Sequence, residues 1–189
     1  HHDDHSGSTR FLIQKNPDAR VVLHATGETR LRSGRNEQAD NGGWCSGIVK
    51  AVTRLYRTFH PEWTLTFPPF KTRENDILIH HKEDHFLHHI GLHITIIHTP
   101  GHTPDSISLL DTEGNLFCGD AAANYLRWAG TKYCPLYISN LKTYYDTWKK
   151  IVSLPVRMLY PAHGKPFPIH KLRNNIYKIK NLSEFTWNE

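Results

Sequence analysis

Apolar residues recur along the chain with two different periods, and each period predicts one kind of element. Spacing near 3.6 residues predicts a helix, and it occurs in three segments. A further short helix is predicted before them, with Ser6 or Ser8 as its cap and Asn16-Pro17 as its end. The apolar positions of the predicted helices are Phe11 to Ile13; Ile48, Val52, Leu55, Tyr56 and Phe59; Leu141, Tyr144 or Tyr145, Trp148 and Ile151 or Val152; and Ile169, Leu172, Ile176 and Ile179. Ser139 is predicted to cap the third helix, because a serine oxygen at that position accepts a backbone N–H.

Short apolar runs rich in β-branched residues predict the strands. These runs lie at 21–23, 76–81, 85–90, 92–98 and 156–160, and residues 106–120 are predicted to form a hairpin with its loop at 111–115. The polar stretch 27–43 has no apolar period and is predicted to be a long loop. Strands cluster in the middle of the chain with helices around them, which predicts an α/β protein with a sheet covered by helices.

Composition narrows the class of protein. The chain has 189 residues, of which 38% are hydrophobic and 22% charged, as is typical of a globular domain. It has no apolar run of about 18 residues, so we expect no membrane partner. The net charge is +5, but the basic residues are scattered, so a nucleic-acid partner is disfavoured. Cys45, Cys118 and Cys134 form no C-x-x-C pair, which predicts free thiols in a reducing, cytoplasmic setting.

Four places in the sequence carry side chains that ligate metals, each close to a turn residue. They are His2, Asp4 and His5 in HHDDH; His102 in TPGHTPDS; Asp120 in FCGDAA; and His163 in PAHGKP. A ligand at a strand end has a rigid support and faces a cleft, and Gly or Pro lets the backbone turn there. A single histidine beside a glycine is more often a structural or surface residue than a metal ligand. The four places therefore indicate a metal site only when they are taken together. Imidazole and carboxylate ligands suit zinc, and also iron or manganese.

In this order, the four places resemble the signature of the metallo-β-lactamase superfamily, H-x-H-x-D-H followed by His, Asp and His. The resemblance runs from residue 1 to about residue 180. It implies an αββα sandwich, with residues 1–189 as one domain and 26–70 as a loop and helix insertion. The first histidine of the signature would precede His1. We therefore expect the chain to begin inside the motif, with the N-terminal strands of that fold missing.

The resemblance also implies two divalent metal ions, most simply zinc. One ion would be held by the missing histidine, His2 and His102, and the other by Asp4, His5 and His163, with Asp120 bridging the two. Two close cations acidify a shared water, so a metal-bridging hydroxide would attack a carbonyl or phosphoryl centre. Asp4 is the predicted catalytic residue, since it could orient this nucleophile or carry its proton.

Departures from particular branches of the superfamily restrict the function. Asp120 stands where class B β-lactamases carry Cys or Ser, which argues against antibiotic cleavage. His2 stands where the flavodiiron reductases carry Glu. Hydroxyacylglutathione hydrolases share the six visible ligands but add a helical C-terminal domain, and we expect none here because the chain ends too soon. The prediction is a hydrolase of an ester, thioester or lactone. A phosphodiesterase or nuclease of the same fold and a catalytically inactive truncated module stay open as alternatives.

Outside the ligands, Tyr125 is a predicted substrate-binding residue, because the loop after Asp120 would lie over the metals; it could equally pack that loop down. The 26–70 insertion is either a lid or a surface for a homodimer. Histidines crowd residues 80–98, and we predict a solvent-facing strand pair there rather than a second metal site or a pH sensor. We expect a small molecule as the substrate.

Overall fold

The structure is a computed structural model that describes residues 1–36, 42–61 and 64–180. The helices in these ranges are α1 (Asp3–Ser6), α2 (Thr9–Lys15), α3 (Glu28–Ser33), α4 (Gly47–Phe59), α5 (Leu141–Ser153), α6 (Ile169–Arg173) and α7 (Ile176–Lys180). The strands are β1 (Val22–His24), β2 (Gly43–Trp44), β3 (Ile77–Ile79), β4 (Glu83–Asp84), β5 (Ile94–His98), β6 (Ile107–Asp111), β7 (Asn115–Gly119), β8 (Tyr137–Ile138), β9 (Met158–Pro161) and β10 (Phe167–Pro168).

A six-stranded mixed sheet forms the frame of the molecule, in the order β10-β9-β7-β6-β5-β4. Neighbouring strands are antiparallel except β7 and β9, which run parallel. The steps from β5 to β6 and from β6 to β7 each reverse the chain direction, so β5, β7 and β9 all point the same way. Their carboxyl ends therefore meet at one edge of the sheet.

Helix α5 builds the main core with this sheet. Its Tyr144, Trp148 and Ile151 are fully buried in one cluster with the strand residues Leu116 and Leu159. Burial of such a side chain stabilises the fold by roughly 1.5–3 kcal/mol. Helices α6 and α7 contact α5 and extend the same layer. The predicted apolar stripe of α5 is confirmed, because Tyr144, Trp148 and Ile151 are buried.

Two smaller sheets lie beside the large one. Strands β1 and β3 pair in parallel, and β2 and β8 pair antiparallel. A second core cluster of Leu23, Leu31 and Phe67 lies at the first of these small sheets. Sheets and helices are thus mixed as predicted, and the α/β class is confirmed.

The predicted loop 27–43 contains helix α3, so that prediction is wrong in part. Leu31 is the buried residue of this helix and packs in the second core cluster. One buried residue in six gives no helical period in the sequence, which is why the pattern missed the element. Residues 37–41 of the same stretch lie outside the described residues.

The segment 85–90, predicted as a strand, is instead a 3₁₀ turn at Phe86–Ile90. The Asp84 carboxylate accepts the Phe86 N–H at 2.7 Å and starts the turn. Gly91 ends it with a left-handed φ of 81°. Local hydrogen bonds of an aspartate side chain compete here with strand pairing, and they win over the apolar pattern.

Two helix ends differ from the prediction. Asn140, not Ser139, caps α5, and its side chain accepts the Thr143 N–H at 2.8 Å. The predicted last helix is divided into α6 and α7 by residues 174–175, although three of its four predicted apolar residues are buried. The three are Leu172, Ile176 and Ile179.

Helix α4 lies where it was predicted, but its apolar stripe faces solvent. Val49 and Thr53 are its buried residues, whereas Val52 is 45% and Leu55 60% exposed. Ser46 caps the helix by accepting the Val49 N–H at 3.1 Å.

None of the helices in the described ranges combines the length and the apolar character that a bilayer crossing needs.

The Asp76 carboxylate joins the start of β1 to the start of β3. Its side chain is 0% exposed and lies 2.7 Å from the Arg73 guanidinium. It also accepts the backbone N–H groups of Val21 at 2.9 Å and Arg73 at 2.8 Å. Burial by itself raises the pKa of Asp76, but these hydrogen bonds outweigh burial and hold the pKa below its ordinary value.

Replacing Asp76 with Asn should lower the free energy of unfolding by about 1.5–3 kcal/mol at neutral pH, because charge-assisted hydrogen bonds are lost. A lowered folded-state pKa gives stability that is complete above the unfolded pKa and is lost as pH falls through the folded pKa. Denaturant unfolding should therefore show a gap between wild type and D76N that closes in acid. The control is Asp146→Asn, which removes an exposed pair with Lys149 and should cost less than about 1 kcal/mol. Equal losses in both variants would contradict this role for Asp76.

Candidate metal centre

Three of the four predicted ligand places follow strands that end at the same edge of the large sheet. Asp120 comes directly after β7, which ends at Gly119, and His163 lies two residues after the end of β9. His102 lies in the loop that follows β5. Since these strands share one direction, their loops converge without any long excursion of the chain.

Two glycines let these loops pass close to neighbouring backbone. Gly101, before His102, has a φ of 132°, and a Cβ there would overlap the backbone of Tyr144. Gly164, after His163, has a φ of 95°, and a Cβ there would overlap the backbone of Asn124. Only glycine adopts these conformations at little cost and also leaves room for the neighbouring chain.

The fourth ligand place is a helix, not the predicted strand end. His2 is extended, with φ −73° and ψ 159°, and the chain turns into α1 at Asp3. The Asp3 N–H donates to the Asn36 side chain at 2.9 Å, and the Asn36 amide donates back to the Asp3 carboxylate at 2.5 Å. This reciprocal pair holds α1 at the edge where the strand loops meet.

The structure brings all six predicted ligand side chains into one cluster, with Asp120 at its centre. The Asp120 Oδ2 atom is 3.0 Å from His5 Nε2 and 3.2 Å from His102 Nε2. The Asp120 Oδ1 atom is 3.6 Å from His163 Nε2. The carboxylate thus faces ligands from α1 and from two strand loops.

The remaining contacts divide the cluster into two halves. On one side, His2 Nδ1 is 3.0 Å from His102 Nε2. On the other, His163 Nε2 is 3.0 Å from Asp4 Oδ2, and His5 Nε2 is 3.7 Å from the same oxygen. Asp120 contacts both halves.

The donor set fits a divalent cation. Asp4, His5, Asp120 and His163 each present one ligand atom, and these atoms all lie within 4.8 Å of one another. Nitrogen and oxygen ligands about 2.0–2.2 Å from zinc lie about 3.3 Å apart at the corners of a tetrahedron. In addition, Asp120 Oδ1 is buried without a hydrogen-bond partner among the described residues. A cation there would remove the cost of that unpartnered oxygen.

Both carboxylates are held in the ionised form that ligates metals. Burial by itself raises the pKa of Asp120, but hydrogen bonds from His102 and His5, and their charges, outweigh burial and hold the pKa well below its ordinary value. The hydrogen bond from His163 lowers the pKa of Asp4. Each carboxylate can therefore bind a cation without first losing a proton.

The imidazoles differ from one another in charge. Burial, with the neighbouring His102, lowers the pKa of His2 to about 3, so its ring is neutral. The hydrogen bond to Asp120 raises the pKa of His5. The hydrogen bond to Asp4 likewise raises the pKa of His163. Without a metal, the two carboxylates therefore favour the protonated forms of these two imidazoles.

A backbone carbonyl fixes the orientation of His102, and sequence reasoning missed it. His102 Nδ1 is 2.8 Å from the Tyr137 carbonyl oxygen, which can only accept, so Nδ1 carries a proton and Nε2 is the ring nitrogen that faces the cluster. Ser139, predicted as a helix cap, donates instead to the His102 carbonyl at 2.5 Å. A backbone acceptor has no residue signature, so no signal in the sequence could have identified Tyr137.

A pocket of about 270 Å³ opens at the ligand cluster. Its apolar part is formed by Trp44, Leu65, Pro135 and Leu136, and Tyr125 also lines it. The Tyr125 ring lies 5.4 Å from the His163 ring, centroid to centroid. Burial raises the pKa of Tyr125, so its hydroxyl stays protonated. The predicted substrate-binding residue therefore stands beside the ligands on the pocket wall.

The histidine-rich stretch 80–98 does not join this cluster. His85, His88 and His93 contact one another through ring edges, and His98 Nε2 is 2.7 Å from the Pro104 carbonyl oxygen. Within 1–36, 42–61 and 64–180, the four-residue group at Asp120 is the one set of metal-binding side chains that converges closely. The histidines at 80, 81, 85, 88, 89 and 93 are exposed, as predicted, but 86–90 is a 3₁₀ turn and not part of the predicted strand pair.

Comparison with known proteins assigns the class. The family model of the metallo-beta-lactamase superfamily matches residues 1–163. The chain belongs to this superfamily, as its motifs predicted, and membership supports hydrolase chemistry.

Particular relatives are distant. The chain is 32% identical over 84 residues to a beta-lactamase-like protein 2 homolog of Drosophila melanogaster, covering 43% of this chain and 26% of that protein. It is 28% identical over 133 residues to a hydroxyacylglutathione hydrolase of Tolumonas auensis, covering 67% of this chain and 47% of that protein. The chain thus spans half or less of the length of these curated relatives. In fold it is similar to the BLEG-1 B3 metallo-beta-lactamase, with a TM-score of 0.57, 19% identity, and coverage of 95% of this chain and 74% of that one.

Gly101→Ala should disturb the site through the backbone of the His102 loop. The added Cβ would overlap Tyr144, so both stability and metal affinity should fall, with a stability loss of about 2 kcal/mol or more. Gly91→Ala is the matched control, because Gly91 also has a positive φ of 81° but has open space around its Cβ. Thermal unfolding and zinc titration measure both effects. Equal behaviour of the two variants would show that close approach to Tyr144 has no role.

Asp120→Asn should weaken metal binding at least about 100-fold, because the amide is neutral and removes the carboxylate shared by both halves of the cluster. Elemental analysis should find fewer metal ions per chain in this variant than in the wild type. His88→Gln, in the histidine-rich stretch, is the control and should keep the wild-type metal content. If His88→Gln lost metal and Asp120→Asn kept it, the metal would bind in the histidine-rich stretch 80–98 and not at Asp120.

Proposed function

We propose that this protein is a metal-dependent hydrolase that cleaves an ester, thioester or lactone with two divalent ions, most simply zinc. The observation that carries the proposal is the convergence of the five other ligand side chains around Asp120, whose Oδ1 is buried without a hydrogen-bond partner among the described residues. A carboxylate between two groups of neutral or partnered imidazoles is a chemically reasonable bridge between two cations.

The two halves of the cluster define the two ligand sets. His2 and His102 would hold one ion, and Asp4, His5 and His163 the other, with Asp120 shared. When bound, the ions would supply an acidified water and positive charge for a developing oxyanion. The chemistry of the donors also allows iron or manganese.

Asp4 is the residue proposed to act on the proton. Its pKa is lowered by the bond from His163, so the carboxylate is ionised at neutral pH and can accept a hydrogen bond from water. Asp4 is also partly exposed, with its side chain at 46%, so a water in the pocket can reach it. It would orient that water and hold its proton until the leaving group takes it.

The walls of the pocket support an acyl substrate over a phosphodiester. Trp44, Leu65, Pro135 and Leu136 give the pocket an apolar side. No Lys or Arg among the described residues lines it, although phosphate recognition typically uses such cations. The similarity to a hydroxyacylglutathione hydrolase agrees with an acyl substrate.

The cysteines support a reducing compartment, and we propose the cytoplasm. Cys45, Cys118 and Cys134 are free and buried. Burial raises the pKa of Cys45 and Cys118 to about 12. Such thiols are protonated and unreactive, as expected of core residues.

Asp4→Asn should lower kcat for a p-nitrophenyl acetate or thioester substrate by about 10²–10⁴-fold, the usual contribution of a general base. Asp3→Asn is the matched control one residue earlier. Asp3 bonds to Asn36 rather than to a predicted ligand, so the kcat of this variant should stay within about tenfold of the wild-type value. The assay uses zinc-loaded protein, with bis(p-nitrophenyl) phosphate in parallel. Faster cleavage of the phosphodiester would favour the nuclease alternative. A fully metal-loaded protein that cleaves none of these substrates would overturn the proposal.

A further inference from the structure

A second cavity lies beside the metal-site pocket and has no part in the proposed chemistry. It occupies about 250 Å³ between helix α4 and the 126–129 segment. The side chains that matter to its chemistry are Val49, Val52, Tyr56, Leu126, Trp128 and Leu136.

The lining of this cavity selects an apolar occupant. Apart from one threonine and the tyrosine hydroxyl, every lining side chain in the described residues is hydrocarbon or indole, and none is charged. Trp128 at its rim is 72% exposed and Val52 is 45% exposed. Exposed apolar surface grouped around a concave site marks a ligand or partner site rather than ordinary surface.

The cavity adjoins the metal-site pocket and shares one lining residue with it. Leu136 lines both. Tyr125 lines the metal-site pocket, and Leu126, the next residue, lines the cavity. The two pockets therefore meet at Leu136, with the ligand cluster on one side and helix α4 on the other.

The walls are held in place by hydrogen bonds to the backbone. The Ser46 hydroxyl, at the start of α4, donates to the Ala129 carbonyl at 2.5 Å. The Cys45 N–H donates to the Leu136 carbonyl at 2.9 Å. Leu126 itself has a left-handed φ of 47°, a costly conformation for a branched residue that persists only where its surroundings fix it.

We propose that this cavity binds the acyl chain of the substrate, so that the protein prefers esters or thioesters of medium-chain fatty acids. This inference rests on the proposed function and adds the substrate class to it. At about 30 Å³ for each water-sized group, the cavity holds on the order of eight methylene groups. The acyl carbon would lie at the ligand cluster and the chain would pass over Leu136 under α4. Water adds its oxygen to the acyl carbon and its proton to the departing alcohol or thiol, which leaves a fatty acid.

The first test is a series of p-nitrophenyl esters from acetate to decanoate, kept below their micelle concentrations, with zinc-loaded protein. Burial of a methylene is worth about fourfold in kcat/KM. We expect a rise of about that size per methylene at least as far as the octanoate. The acetate ester is the internal reference for the reaction itself.

Two tryptophan variants of helix α4 test whether the acyl chain of the substrate lies in the cavity. Val52→Trp fills the cavity and should lower the octanoate-to-acetate ratio of kcat/KM at least tenfold. Leu55→Trp adds the same side chain at a position that is 60% exposed and outside the cavity, and should keep the wild-type ratio within about twofold. Should Val52→Trp fail to fold, Trp128→Ala removes a wall instead and should also lower the ratio.

A binding measurement separates this inference from the proposed function. Isothermal titration with octanoate, and with butyrate as a short control, reports the cavity without any hydrolysis. If no ester is cleaved but octanoate binds and Val52→Trp abolishes the binding, the proposed reaction is wrong and the acyl site stands. If acetate is cleaved and chain length has no effect, or both variants behave alike, the acyl site is wrong. If sedimentation instead shows a dimer of the wild type that both tryptophan variants dissociate, helix α4 contacts a second copy of the protein, and the acyl site is wrong.

Discussion

The Asp120 carboxylate is the group on which the arrangement of the site depends. It is buried, ionised, and contacts imidazoles from α1 and from two strand loops. A buried charge is tolerated only when partners compensate for it, and losing a partner is costly. The carboxylate therefore determines where the N-terminal helix and the strand loops must come. The same compensation can be given by protons on the imidazoles or by cations among them, which is why the cluster fits a metal centre.

The direction of the strands makes that arrangement possible. Because β5, β7 and β9 point the same way, short loops suffice to bring His102, Asp120 and His163 to one edge. Gly101 and Gly164 let two of these loops lie directly against neighbouring backbone. The core formed by α5 thus supports the ligands through the loops, and a change in backbone conformation at a glycine is transmitted to the adjacent histidine.

The cleft has two chemically different sides, and this difference carries the functional proposals. Ligands and carboxylates form one side, and apolar residues around Leu136 form the other. Helix α4 continues the apolar side, with Val52 and Tyr56 in the wall of the second cavity. A substrate with a polar reacting group and an apolar chain matches both sides at once, whereas a phosphodiester would meet no Lys or Arg side chain in the described part of the pocket.

The sequence by itself located the candidate ligand residues and much of the framework. Turn residues beside His102, Asp120 and His163, taken in order, identified the superfamily, and apolar periods located α4, α5 and most of the strands. These features are local, so they can be read from neighbouring residues. Tertiary structure alone decided which side of α4 faces solvent, since the stripe at Val52 and Leu55 has the same period whether it is buried or not. It also decided that the Tyr137 carbonyl orients His102 and that Leu136 lines two cavities. Each of these depends on groups distant in the chain or on the backbone, and neither leaves a pattern in the order of side chains.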